Sequence, residues 1–149
     1  MSITEEMIRT LHEIKIKYDK MQEDGTQKKV TETYVISANS WGDAERKIAK
    51  EMANYISGEW EIKSIAKMAY SEILFSDRDC DDKWYKAKVA FITIDEKTEK
   101  EKQTTVTFLL QGSSVSGAVK SVDEFLADGA SNHTSIAVTE TKIMDVFND

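Results

Sequence analysis

Two stretches of the chain alternate lysine with apolar or aromatic residues. Lys15 and Lys17 enclose Ile16 and precede Tyr18, with Lys28 and Lys29 after a turn; Trp84, Lys86 and Lys88 interleave with Tyr85, Ala87 and Val89. In a strand, successive side chains point to opposite faces. Trp84, Lys86 and Lys88 therefore share one face, and Tyr85, Ala87, Val89 and Phe91 the other. An indole beside two ammonium groups suits single-stranded nucleic acid: lysines neutralise phosphates, and aromatic faces stack on bases at about 1–3 kcal/mol each. The first hairpin offers Lys15 and Lys17 on the comparable face, with Lys28 and Lys29 on the partner strand and Tyr18 and Tyr34 as platform or core. Tyr85 is a further stacking candidate.

Charge placement supports this surface although the total does not. The 149 residues carry 27 acids against 20 lysines and arginines, a net of −7. Residues 14–31 hold five lysines and three acids, and residues 83–108 hold six lysines and four acids. Each hairpin is thus +2, which leaves −11 on the remainder. A competing explanation is that lysines line an ordinary solvent face and protect sheet edges against aggregation.

Other chemistry finds little support. There are two histidines, His12 and His133, and one cysteine, Cys80. No metal-binding Cys or His spacing, phosphate-cradling glycine loop or nucleophile elbow occurs. Cys80 lies in Asp77-Arg78-Asp79-Cys80-Asp81-Asp82, where surrounding acids disfavour a thiolate. That run lacks the central glycine and closing glutamate of a calcium loop. No catalytic residue, metal site or cofactor is expected, and the protein is read as a non-enzyme. A single cysteine allows no disulfide within the chain, the absence of proline excludes proline-rich linkers, and no apolar run is long enough to span a bilayer. The polar, acidic start is unlike a secretory signal, so a cytoplasmic protein without membrane contact is expected.

The elements that position these residues come as an internal repeat. Tyr34-Val35-Ile36-Ser37-Ala38-Asn39-Ser40-Trp41 matches Phe108-Leu109-Leu110-Gln111-Gly112-Ser113-Ser114-Val115, and Ala44, Ile48, Met52 and Ile62 fall on Ala118, Val122, Leu126 and Ile136. Upstream, Lys15-Ile16-Lys17 is set against Lys86-Ala87-Lys88; downstream, Glu72-Ile73 is set against Asp145-Val146. Each half reads as strand, strand, helix, strand. Ser40 and Ser114 are the expected helix caps, with Asp43 completing a capping box. Ser57-Gly58 and Gly129 are the expected helix stops, and Trp41 and Trp60 are assigned to the core. The expected fold is α+β: a tandem ββαβ repeat forming one pseudo-twofold, shared-core domain. Its parts are a short N-terminal helix over residues 1–12, a first unit over 13–76, a linker over 77–83 and a second unit over 84–149. Val146 and Phe147 are read as the end of the last strand rather than as an acidic-aromatic recruiting tip.

The strings Asp24-Gly25-Thr26-Gln27-Lys28-Lys29-Val30-Thr31-Glu32, Tyr55-Ile56-Ser57-Gly58-Glu59 and Glu140-Thr141-Lys142-Ile143-Met144-Asp145-Val146 resemble an uncharacterised family, carried as a domain of unknown function in gut Bacteroidetes and their crAss-like phages. The likeness runs from Ile14 onward. It implies a role in replication or counter-defence inside a bacterial host cell, and no catalytic or binding residues. The function expected is a phage-type single-stranded DNA-binding protein. The alternatives are an inhibitor that binds a host protein or a nucleotide signal, and a homo-oligomeric structural or assembly protein.

Overall fold

A computed structural model describes residues 10–127 and 133–148. Among these, the elements in chain order are β1 (Thr10–Met21), β2 (Gln27–Ala38), α1 (Trp41–Met52), β3 (Trp60–Met68), β4 (Glu72–Leu74), β5 (Lys83–Ile94), β6 (Glu101–Gly112), α2 (Val115–Ala127), β7 (His133–Glu140) and β8 (Ile143–Phe147). The protein is α+β, with two four-stranded mixed sheets and one helix for each. Most of the expected N-terminal helix and the stop at Gly129 lie outside the described residues. Thr10, Leu11 and His12, assigned to that helix, instead open β1.

The chain divides into two compact units: residues up to Ala69 together with Lys142–Asp149, and Tyr70–Thr141. In the first, the strand order is β3-β1-β2-β8; in the second it is β4-β6-β5-β7. The halves have therefore exchanged their last strands. β8 pairs parallel with β2, and β4 pairs parallel with β6. One expectation changes here: Val146 and Phe147 form a separate strand in the first sheet rather than extending β7. Residues 77–82 belong to the second compact unit. There the Ser76 N–H donates to Gln111 Oε1 at 2.7 Å, and the Ser76 hydroxyl donates to Asp81 at 2.6 Å.

The repeat explains the local structure. Ser40 Oγ accepts from Asp43 N at 3.1 Å while Asp43 accepts from Asn39 N at 3.0 Å, a reciprocal cap. The Asn39 N–H, with Arg46 and Lys47 behind it, holds the Asp43 carboxyl below its ordinary value. Ser114 caps α2 in the same way through Gly117 N at 3.0 Å. Alternation buries Ile14, Ile16, Tyr34 and Ile36 of the first sheet against Ala44, Ile48 and Met52 of α1. In the second unit, Tyr85, Ala87, Val89, Phe108 and Leu110 meet Ala118 and Val122 of α2. The turn after β1 needs Gly25, whose φ of +86° is the left-handed region. Trp60 packs on the first core as expected. Trp41 does not: it is 59% exposed, with its indole N–H on the Ile65 carbonyl at 3.3 Å.

Candidate functional site

Strand register decides which lysines share a face. Lys15 lies opposite Thr33, Lys17 opposite Thr31 and Asp19 opposite Lys29. These six residues occupy the face of the first sheet that points away from α1. Lys28 lies opposite Lys20, on the other face, so Lys28 and Lys29 do not act together. The reason is the two-residue period of the strand.

The sheet is irregular where this face turns cationic. Lys15 pairs with Ser64 while Ile16 pairs with Ile62, so Lys63 is an extra residue in β3. Thr33 pairs with Ile143 while Tyr34 pairs with Asp145, so Met144 is an extra residue in β8. Both outer strands are thus bulged beside the Lys15–Thr33 row. A bulge re-aims side chains and increases local twist. Here it lets Lys63 and Ser64 both line one open cleft, with Lys15, Thr31, Thr33 and Lys142. The cleft encloses about 420 Å³. Among the described residues, Lys15, Lys63 and Lys142 make no ion pair, and the hydroxyls of Thr31, Thr33 and Ser64 make no hydrogen bond. The arrangement offers ammonium and hydroxyl donors to an anion.

The rest of that face differs. Towards the hairpin tip, Lys17 and Lys29 line a second depression with Asp19, Glu59 and Glu61, so charge there is mixed. In the other direction Val35 and Ser37 are buried. The open cationic surface therefore begins at Lys15 and Thr33 and is short.

The expected stacking residues are mostly enclosed. Trp84 is 2% exposed, edge-on to Phe75 at 5.6 Å, and Tyr85 is 1% exposed within the second core. Ala90 and Leu109, on the same face as Trp84, are buried as well, so this part of the second sheet is no platform. Lys86 Nζ lies 5.8 Å from the centre of the Tyr70 ring. Lys88 is exposed, opposite Thr107. Tyr34 is buried and stacked on Phe147 at 5.8 Å. The Tyr34 and Tyr18 hydroxyls both donate to Glu32 Oε1, at 3.1 and 2.9 Å. Burial, followed by this carboxylate, pushes the Tyr18 phenol up to about 12, and burial and Glu32 raise Tyr34 as well. Both rings are committed to internal contacts.

Register also corrects the repeat. Lys88 opposite Thr107 is the counterpart of Lys15 opposite Thr33, so the hairpins align two residues away from the Lys15–Lys86 match. A slip of two residues leaves every side chain on the same face, which is why alternation could not detect it. At the counterpart of Ser64 the second half has Ala137, and its β5–β7 irregularity falls elsewhere, between Ala90 and Phe91. Among the described residues the matching row of the second sheet lacks the bulge that brings in Lys63.

Lys63, Ser64 and Lys142 were not among the sequence-derived candidates. One signal was present: Ile62 and Ile65 both pack on the core although three residues apart, which an unbulged strand forbids. Cys80 is exposed beside Arg78 and Asp81, and among the described residues no three His, Cys, Asp or Glu side chains gather as a metal site. No helix among them is long and apolar enough to cross a membrane.

Fold and site together define a duplicated α+β scaffold with a cationic cleft on its first sheet. Residues 10–149 match the family model DUF4494, a domain of unknown function, and the chain belongs to that family. No curated protein and no solved structure gave a significant match.

Proposed function

We propose that this chain is a non-enzymatic single-stranded DNA-binding protein that holds backbone phosphate in the Lys15–Lys63–Lys142 cleft. The observation that carries the reading is the convergence in one open depression of three ammonium groups without ion pairs and three unengaged hydroxyls among the described residues. Neutralising phosphate there releases counterions, which gives affinity without sequence preference. Trp84, Tyr85, Tyr34 and Tyr18 have no part in stacking in this form of the proposal. Trp41 is exposed, but it opens α1, on the side of the sheet opposite the cleft, so the proposal rests on phosphate contacts and not on stacking. A place in phage or bacterial replication suits such a protein. The test is fluorescence anisotropy of labelled oligo-dT at low salt, with Lys15→Gln/Lys63→Gln/Lys142→Gln as comparison. Binding by the native chain and its loss in the variant support the reading; no binding by the native chain overturns it.

A second reading, capture of a free nucleotide signal in counter-defence, is favoured by the size of the cleft. At about 420 Å³ it is concave and local rather than a groove. A nucleotide copurifying with the native chain and absent from the triple variant distinguishes this reading.

A further inference from the structure

We infer that the cleft takes a terminal phosphomonoester, at the end of a strand or on a mononucleotide, rather than a phosphodiester within a continuous strand. The inference rests on the reading that the ligand is a nucleic-acid phosphate, and it adds which phosphate. Three features lead to it. The first is donor number: Lys15, Lys63 and Lys142 with Thr31, Thr33 and Ser64 present three positive charges and three hydroxyls around one depression. A phosphomonoester matches this with a charge of about −1.5 to −2 and three acceptor oxygens. A phosphodiester has a single charge and only two non-bridging oxygens.

The second feature is that the face is closed at one end. Beyond Thr33 on β2, Val35 and Ser37 are buried, so a strand cannot continue over that part of the sheet. The third lies in the opposite direction. There Asp19, Glu59 and Glu61 stand beside Lys17 and Lys29, and a polyanion running along the face would meet carboxylates. A phosphate that ends in the cleft avoids both. The two bulges that frame the Lys15–Thr33 row form a local seat; the other sheet keeps Lys88 and Thr107 at that row but has Ala137 in place of Ser64 and no bulged residue in place of Lys63.

The experiment measures the intact chain against labelled ten-residue oligo-dT carrying a 5′-phosphate, a 3′-phosphate or neither, with thymidine monophosphate as competitor. Expected is at least about tenfold tighter binding of one phosphorylated end, competed by the monophosphate. That preference falls as pH drops from 7.5 to 5.5, because the second phosphate ionisation lies near 6. It disappears in Lys63→Gln/Lys142→Gln, and Ser64→Ala weakens it without removing a charge. Circular dichroism confirms that each variant is folded. Equal affinity for all three oligonucleotides overturns the terminal-phosphate inference and leaves DNA binding standing. Binding of the monophosphate alone supports the inference and overturns the DNA reading. Binding of none overturns both.

Discussion

Salt dependence gives the sharpest measure of the cleft. If Lys15, Lys63 and Lys142 each neutralise phosphate charge, three counterions are released. For single strands the slope of log K against log salt is then about −0.7 per lysine, or about −2.1 in all. Raising salt from 50 to 200 mM should weaken binding about 18-fold. The double substitution Lys63→Gln/Lys142→Gln leaves Lys15, a slope of about −0.7 and a loss of about 2.5-fold over the same range. All three lysines are exposed and free of ion pairs among the described residues, so the substitutions remove charge without removing a structural contact. Lys97→Gln/Lys100→Gln, in the turn between β5 and β6, changes net charge equally but leaves the cleft intact. Screening over roughly 8–10 Å should leave its slope near that of the native chain. The assay is anisotropy of labelled oligo-dT across a salt titration. A cleft variant with an unchanged slope, or a turn variant that lowers it equally, would falsify the assignment and point to diffuse charge.

Other expectations concern the scaffold. Glu99 holds a φ of +58° in the turn after β5, so Glu99→Gly should stabilise the protein by about 1 kcal/mol in urea melts. Ser40→Ala and Ser114→Ala each remove a helix cap and should cost about 1 kcal/mol, read as a lower denaturant midpoint. Because folding raises the Tyr18 phenol from 10.0 to about 12, its contribution is complete below pH 10 and is lost between about 10 and 12. Tyr18→Phe should flatten that part of an alkaline stability profile; an unaltered profile refutes the buried Tyr18 phenol as its source. Ending the chain at Thr141 removes buried Ile143 and Val146 from the first sheet, about 3–6 kcal/mol of burial. Limited proteolysis should then cleave the first unit before the second.

Part of this architecture is legible in the chain because it depends on periods and short-range chemistry. Alternation from Ile14 to Tyr18 and from Trp84 to Phe91 marks strands. Ser40 with Asp43 marks a helix start, since a serine oxygen and a carboxylate satisfy N–H groups left open there. The matching strings around Ser37 and Gln111 reveal the duplication. Those readings need only neighbours in sequence.

What the sequence could not decide depends on which strands meet. Glu72–Leu74 and Ile143–Phe147 are equivalent in the repeat, yet each pairs with the sheet of the other half, because parallel pairing joins segments far apart in the chain. The face that holds Trp84 follows from alternation; its burial does not, since cover comes from elsewhere in the fold. Lys28 and Lys29 are adjacent but separated by the sheet itself. Lys63 and Lys142, nearly eighty positions apart, line one cleft because bulges in two outer strands place them beside the same Lys15–Thr33 row. By itself the sequence determined that lysines alternate with apolar residues on a duplicated scaffold. Tertiary structure alone selected which of them converge, because a bulge and a strand exchange break the local period from which sequence is read.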